Sequence, residues 1–332
     1  MSLSPPFVAW TELPSPQGRL GPLRVAAGNG SIAIYLASTE AAPPAVADKQ
    51  HNKYQAKLSP IPISGSAPAE IVMSQLLATV PAFDIATRAD GSLAVAIELF
   101  GGGSNALVLG TAHHGDLKQA ATYSDFTDYR FPRFVRGLAP SGESATAIAN
   151  GAILVAIGDR PLPRGGHGTK TPPYTKLADA TSGVAIATVP PNGQQSLALF
   201  ATRGDDGPQL PSGDFLGTLT FVSLVNGRPT GTPQVLFHPG DIYSFDVDVQ
   251  GDLALVLGST KHGPRLITCD LATGKTTDID WLQGYPVSGT WIASPSVLAL
   301  PGSKAFALAF YECSGSSATG IRYAQLDLSQ PG

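Results

Sequence analysis

The run Tyr243-Ser244-Phe245-Asp246-Val247-Asp248-Val249-Gln250-Gly251-Asp252-Leu253-Ala254-Leu255-Val256-Leu257 decides the fold. Polar and apolar residues alternate before Gly251, as in a strand, whereas after it side chains suited to a core fall on both faces. A third strand follows at Arg265-Leu266-Ile267-Thr268-Cys269-Asp270-Leu271. Beyond the turn at Thr273-Gly274, Lys275 to Trp281 supplies a fourth. Gly and Pro interrupt nearly every candidate segment before three helical turns accumulate, so the unit reads as a four-stranded antiparallel sheet.

The turn glycine recurs at Gly30, Gly91, Gly142, Gly193, Gly251 and Gly302, at spacings of 51 to 61 residues. Six such units account for nearly all of the 332 residues. Asn29-Gly30, Asp90-Gly91 and Asn192-Gly193 are strong hairpin turns, because both positions tolerate positive φ. Three residues after each glycine stand Ala33, Ala94, Ala145, Ser196, Ala254 and Ala305, a small residue where neighbouring sheets must approach closely. One position further come Ile34, Val95, Thr146, Leu197, Leu255 and Phe306, and six after the glycine Leu36, Ile97, Ile148, Leu199, Leu257 and Leu308. The second strand of each unit is therefore predicted to be buried on both faces, between two sheets.

The last unit has strands at Trp291 to Leu300, Lys304 to Tyr311 and Ile321 to Leu328, and lacks a fourth. Phe7-Val8-Ala9-Trp10-Thr11-Glu12-Leu13 is an unassigned strand that can complete it and remove an exposed edge. In this organisation the chain resembles the broad β-propeller superfamily, and the turn Asp90-Gly91-Ser92-Leu93-Ala94-Val95 resembles those of bacterial WD40-like propellers. The expectation is an all-β, six-bladed β-propeller of four-stranded antiparallel blades over residues 1–332, a single domain closed by the N-terminal strand pairing in the last blade. A β-helix or β-sandwich is the structural alternative. No family-specific catalytic motif accompanies the resemblance.

Charged residues make up 14% of the chain and the net charge is −4, so no basic field exists for a nucleic-acid backbone. No apolar stretch reaches the length of a membrane-spanning helix. Met1-Ser2-Leu3 reads as an expression start in place of a removed leader, and low charge with abundant Ala, Gly and Pro suits a secreted or periplasmic protein. Cys269 and Cys313 are compatible with one disulfide or with buried thiols.

Propellers bind ligands on the face of the loops that join the second strand to the third and each unit to the next; the resemblance implies the same here. The longest second-to-third connections run from Ala37 to Asn52, with Glu40, Asp48, Lys49 and His51, and from Ala201 to Phe215, with Arg203, Asp205, Asp206 and Asp214. The connections between units add Tyr123, Asp125, Asp128, Tyr129, Arg130 and Arg133, then His238, Asp241 and Tyr243, then Tyr285 and Trp291. Aromatics beside Asp and Arg can stack on and hydrogen-bond a sugar or a peptide, and equally can fill gaps between blades.

Other motifs carry less. Asp246, Asp248 and Asp252 resemble an oxygen-rich calcium loop, but the intervening valines follow strand alternation and the usual later glutamate is missing. Asp205-Asp206 with Asp214 is a second calcium candidate; no other cofactor is indicated. His113-His114 lie on extended backbone, where adjacent side chains point oppositely, and read as a turn between the third and fourth strands. No nucleophile elbow, phosphate-binding loop, zinc helix or Cys-x-x-Cys pair occurs. The expected function is a non-catalytic recognition scaffold for a protein or carbohydrate. The alternative is a propeller hydrolase or lyase at the channel mouth, with Asp125, Asp128, Arg133, His238 and Asp241 as candidates.

Overall fold

Apolar side chains on both faces of short, glycine-punctuated strands can be buried only by stacking sheet on sheet, and the computed structural model does this throughout. It describes residues 10–13, 21–28, 30–41, 54–66, 68–77, 80–88, 90–101, 104–113, 115–123, 130–136, 145–149, 153–157, 174–180, 182–187, 195–203, 217–225, 228–236, 242–260, 263–271, 273–279, 290–314 and 317–328.

Five antiparallel meanders follow one another among the described residues. The first is β2 (Leu23–Gly28), β3 (Ser31–Ala41), β4 (Tyr54–Ser64) and β5 (Ile71–Leu77), preceded by β1 (Thr11–Leu13). The second is β6 (Phe83–Thr87), β7 (Leu93–Gly101), β8 (Ser104–His113) and β9 (Asp116–Tyr123). The third is β10 (Arg130–Phe134), β11 (Ala145–Ala149), β12 (Ile153–Ile157) and β13 (Tyr174–Asp179). The fourth is β14 (Ser182–Ala187), β15 (Gln195–Arg203), β16 (Gly217–Val225) and β17 (Arg228–Val235). The fifth is β18 (Ile242–Gln250), β19 (Leu253–Thr260), β20 (Gly263–Asp270) and β21 (Thr276–Ile279). The chain ends on β22 (Thr290–Ala299), β23 (Ala305–Ser314) and β24 (Ser317–Asp327), and β1 pairs antiparallel with β24, setting Thr11 opposite Tyr323 and Leu13 opposite Ile321.

The first strand of each group packs beside the first strand of the next: β2 on β6, β6 on β10, β10 on β14, β14 on β18, β18 on β22, and β22 on β2. The architecture is all-β with curled, stacked sheets of the propeller kind. Separate apolar cores fill the gaps between successive sheets. Ala94 and Ala96 of β7 face a core shared with Phe134, Ala145 and Val155, whereas Val95 and Ile97 face a core shared with Tyr35, Leu58 and Met73. β19 repeats the pattern, with Ala254 and Val256 on one core and Leu255 and Leu257 on the next. The predicted two-faced second strand is thus observed.

The turn glycines hold where they are described. Gly30, Gly91, Gly251 and Gly302 take φ of 74°, 82°, 60° and 74°, a conformation that costs glycine nothing and strains other residues. Gly142 and Gly193 lie outside the described residues, between β10 and β11 and between β14 and β15. Of the small residues, Ala33, Ala94, Ala145 and Ala254 are buried, and Ala305 is half-buried. Ala94 and Ala254 are 0% and 1% exposed, and a leucine at either forces two sheets apart. Ala94→Leu and Ala254→Leu are each expected to lower unfolding free energy by about 1–3 kcal/mol. Neutral urea-denaturation midpoints would place these positions outside the packed interface.

Some boundaries differ from the sequence reading. β3 runs on to Ala41 and β15 to Arg203, because pairing with β4 and β16 continues along both strands. Glu40 is accordingly a strand residue, ion-paired with Lys57 at 2.8 Å; Asp48, Lys49, His51, Asp205, Asp206 and Asp214 lie outside the described residues. His113 ends β8 opposite Asp116, the predicted hairpin. Cys269 and Cys313 are buried free thiols on β20 and β23. No helix of the described residues is long and apolar enough to cross a membrane.

Candidate functional site

Among the described residues each first strand pairs with its own second strand along one edge, and its other edge has no strand partner apart from the single pair of Ile242 with Gly217 that joins β18 to β16, so the outward N–H groups need acceptors from elsewhere. Side chains of the preceding first strand supply several. Asp246 Oδ2 accepts from the Val297 N–H at 2.9 Å, and Asp248 Oδ2 from Ala299 N–H at 2.8 Å. Ser294 and Ser296 hydroxyls accept from the Leu23 and Val25 N–H groups, both at 3.0 Å. Asp84 Oδ2 accepts from the Phe134 N–H at 2.7 Å. Residues spaced by two bond to residues spaced by two, in the same order, so β18, β22 and β2 run in one direction.

The carboxylates face two buried arginines, Arg24 and Arg136, and the half-buried Arg133. Asp84 Oδ1 lies 3.3 Å from Arg24 Nε and 3.1 Å from Arg136 Nη2. Asp246 Oδ1 lies 3.8 Å from both Arg133 Nε and Arg136 Nη2. Arg133 on β10 and Asp246 on β18 belong to meanders separated by β14, so these ion pairs cross a common central space. Arg24 also donates to its neighbour Leu23 carbonyl at 2.6 Å, and Arg133 to the Pro132 carbonyl at 3.2 Å.

Two bulges aim residues at this space. Phe131 and Ser294 have φ of 51° and 52°, each stands before a proline, and each lies where the strand register slips, between Arg130 and Arg133 and between Ala293 and Ser296. A non-glycine residue holds such a conformation only when its surroundings enforce it. The Phe131 N–H donates to Glu98 Oε2 at 3.3 Å, and beyond the slips Arg133 and Ser296 make the contacts described above.

Burial and neighbouring charge set the protonation equilibria. Burial, then the positive charge of Arg133, pulls Arg24 down to about 9. Burial likewise lowers Arg133, with Asp246 opposing it. Burial would lower Arg136 too, but Asp84, Asp246 and Asp248 together raise it above its ordinary value. Burial pushes Asp248 up to about 6, against the attraction of Arg136 and two backbone N–H bonds. Asp248 lacks an ion pair among the described residues, which is why burial prevails there.

The sequence-derived candidates divide. Arg133 belongs to the axial cluster. Arg130, Tyr243 and Trp291 occupy the first or second position of β10, β18 and β22; Tyr243 and Trp291 thus stand at the strand starts read from the sequence, whereas Arg130, read as part of a connection, is a strand residue. Tyr123 ends β9 and is 1% exposed, packed with Leu107 and Phe134 in a core between sheets, because strand alternation turns its ring inward. Asp125, Asp128, Tyr129, His238, Asp241 and Tyr285 lie outside the described residues. Asp246 and Asp248 are strand residues, as the valine alternation implied. Sequence reading missed Arg24, Asp84 and Arg136, and missed the destination of both β18 aspartates. A usable signal was present: Leu23-Arg24-Val25, Phe83-Asp84-Ile85 and Phe245-Asp246-Val247 each set one charge between apolar residues on a first strand.

No protein-family model matches the chain, and no curated protein matches it. Among solved structures the chain is similar to TolB from Acinetobacter baumannii, at 13% identity over 90% of this chain and 64% of that one, with a TM-score of 0.43. It is similar to the β-propeller domain of the Trilobed protease from Pyrococcus furiosus, at 9% identity over 99% of both chains and a TM-score of 0.43. A third likeness is to the periplasmic gluconolactonase of Pseudomonas aeruginosa, at 12% identity, 92% of this chain, 86% of that one and a TM-score of 0.44.

Proposed function

We propose that the chain is a single-domain ring of six four-stranded blades, closed by β1 beside β24, and that it is a non-catalytic recognition scaffold binding a protein or carbohydrate on one face. The carrying observation is the placement of exposed apolar bulk. Among the described residues the exposed large hydrophobics are Tyr54, Phe131 and Val235. They stand at the start of a third strand, the start of a first strand and the end of a fourth. In an antiparallel meander those three ends share one side. The opposite side carries the glycine turns at Gly30, Gly91, Gly251 and Gly302. Exposed aromatics over a rigid scaffold are suited to anchor a partner.

The proposed contact residues are Tyr129, Arg130, His238, Tyr243, Tyr285 and Trp291, joined by Phe131. Arg130, Tyr243 and Trp291 support this by their position at strand starts on the same side. Screening glycans and candidate protein partners, then substituting alanine on each face, tests the reading. Binding should fall at least about tenfold with Phe131→Ala or Tyr243→Ala and persist with His113→Ala. Binding indifferent to the first pair would sink it.

The enzyme alternative, a hydrolase or lyase at the channel mouth, draws on Asp248, whose raised equilibrium is a trait of catalytic acids. It predicts turnover in a hydrolase and lyase substrate screen that Asp125→Ala or His238→Ala abolishes.

Ring closure has its own test. Trp10 packs edge-on against Phe310, with ring centroids 5.1 Å apart, and Glu12 pairs with Arg322 at 2.8 Å. Deleting residues 1–13 exposes the β24 edge and removes that indole, with an expected loss of about 2–3 kcal/mol. Unchanged thermal unfolding would rule the closure out.

A further inference from the structure

Asp248 meets opposite charge only across the axial space. The strands β14, β16, β19 and β22 are packed against β18, and none of them carries a charged or titratable side chain. Its own strand adds Asp246 and, near the far end, Tyr243. Both Asp248 oxygens accept from backbone N–H groups, those of Val249 and Ala299, at 2.8 Å each. The residue is 7% exposed and has no ion pair among the described residues, so the attraction of Arg136 is the main counterweight to its burial.

With all three carboxylates ionised, Asp84, Asp246 and Asp248 balance Arg24, Arg133 and Arg136. One proton on Asp248 leaves three guanidiniums to two carboxylates. Arg136, which feels Asp84, Asp246 and Asp248 together, then draws on the first two alone. Asp246 Oδ1 stands 3.8 Å from both Arg136 Nη2 and Arg133 Nε, too far for a hydrogen bond, so charge alone divides it between them. The arginine with a way out is Arg133, whose side chain is 13% exposed against 3% for Arg24 and 5% for Arg136. Pro132 joins it to the exposed Phe131, whose positive φ persists only because its surroundings impose it. The Asp246 contact is one of those restraints, beside the bonds from Phe131 N–H to Glu98 and from Phe134 N–H to Asp84.

We propose that the axial cluster is a proton-operated latch on the face that Phe131 occupies: a proton on Asp248 turns Asp246 toward Arg136, Arg133 swings out to solvent, and the bulge of Phe131, Pro132 and Arg133 is freed. The latch is closed at neutral pH and opens as pH falls through about 6. As a control on binding at that face it rests on the recognition reading above; as a motion of Arg133 it does not.

Nitrogen-15 spectra of the whole protein, labelled at the arginine Nε, test it, with the Arg133 peak assigned by its loss in Arg133→Lys. Between about pH 7.5 and about pH 5 the peak is expected to move with a midpoint of about 6. A neutral gadolinium chelate should broaden it several times more strongly at the acid end, where the side chain has reached solvent. In Asp248→Asn, neutral at every pH, the peak should already stand at the acid position and stay there. A parent peak as sheltered from the chelate at the acid end as at the neutral end overturns the proposal, whether or not the variant folds. A shift that persists in Asp248→Asn overturns it as well, by assigning the titration to another group. Neither readout needs a ligand, so failure to find a partner for the face would remove the recognition reading and leave the latch to be decided by the spectra.

Discussion

Asp84→Ala is expected to be the most damaging single substitution in the axial cluster. Asp84 is 0% exposed and serves Arg24, Arg136 and the Phe134 N–H at once. Its removal leaves two buried guanidiniums without their nearest counter-ion and one strand-edge N–H without an acceptor. Breaking a buried ion pair from one side costs about 3–5 kcal/mol, because the surviving charge keeps its desolvation penalty. For a chain of this size that is a fall in midpoint on the order of 5–10 °C. Asp84→Asn retains volume and one acceptor oxygen and should lose roughly half as much. Urea unfolding of the three proteins side by side checks this, and an Asp84→Ala protein within about 0.5 kcal/mol of the parent would show that the arginines find other partners.

The second large effect is in the pH dependence of stability. Burial raises Asp248 from 3.8 in the unfolded chain to about 6 in the fold, so the folded state binds its proton more tightly. The stability this contributes is fully present below the unfolded value and is lost as pH rises through about 6. A shift of about two units, at about 1.4 kcal/mol each, amounts to roughly 3 kcal/mol. Asp248→Asn keeps an acceptor for the Ala299 N–H and cannot ionise. Relative to the parent, the variant should therefore gain about 2–3 kcal/mol between about pH 3.5 and about pH 7. A difference between the two proteins that stays constant over that range would contradict the assignment.

The strand plan was legible because it is written in local pattern. Ala94-Val95-Ala96-Ile97 and Ala254-Leu255-Val256-Leu257 announce a strand between two cores without knowledge of what those cores contain. Gly91 and Gly251 mark the turns by a backbone requirement that glycine alone meets without strain. The site was not legible in this way. Arg24, Asp84, Arg136 and Asp246 lie in four different repeats and meet only because four first strands surround one space, and each by itself reads as an ordinary polar position in an alternating strand. Tyr123 shows the converse: a tyrosine at a strand end reads as an exposed contact until the register turns it into a core.

The acceptors along the first strands have one more consequence. Sheets stacked only through apolar side chains can slide over one another at small cost, because dispersion and hydration forces have little direction. The bonds from Asp246 and Asp248 to β22, from Ser294 and Ser296 to β2, and from Asp84 to β10 act as keys in a joint, each locking one sheet to the next at a fixed height. Together with the Arg24–Asp84 pair they run as an unbroken arc through β18, β22, β2, β6 and β10. Among the described residues no such side-chain key joins β14 to either neighbour; the meander it begins is tied to the next through a strand pair, Gly217 of β16 opposite Ile242 of β18. Amide exchange should be slowest for Val297, Val25 and Phe134, whose N–H groups are themselves the keyed atoms.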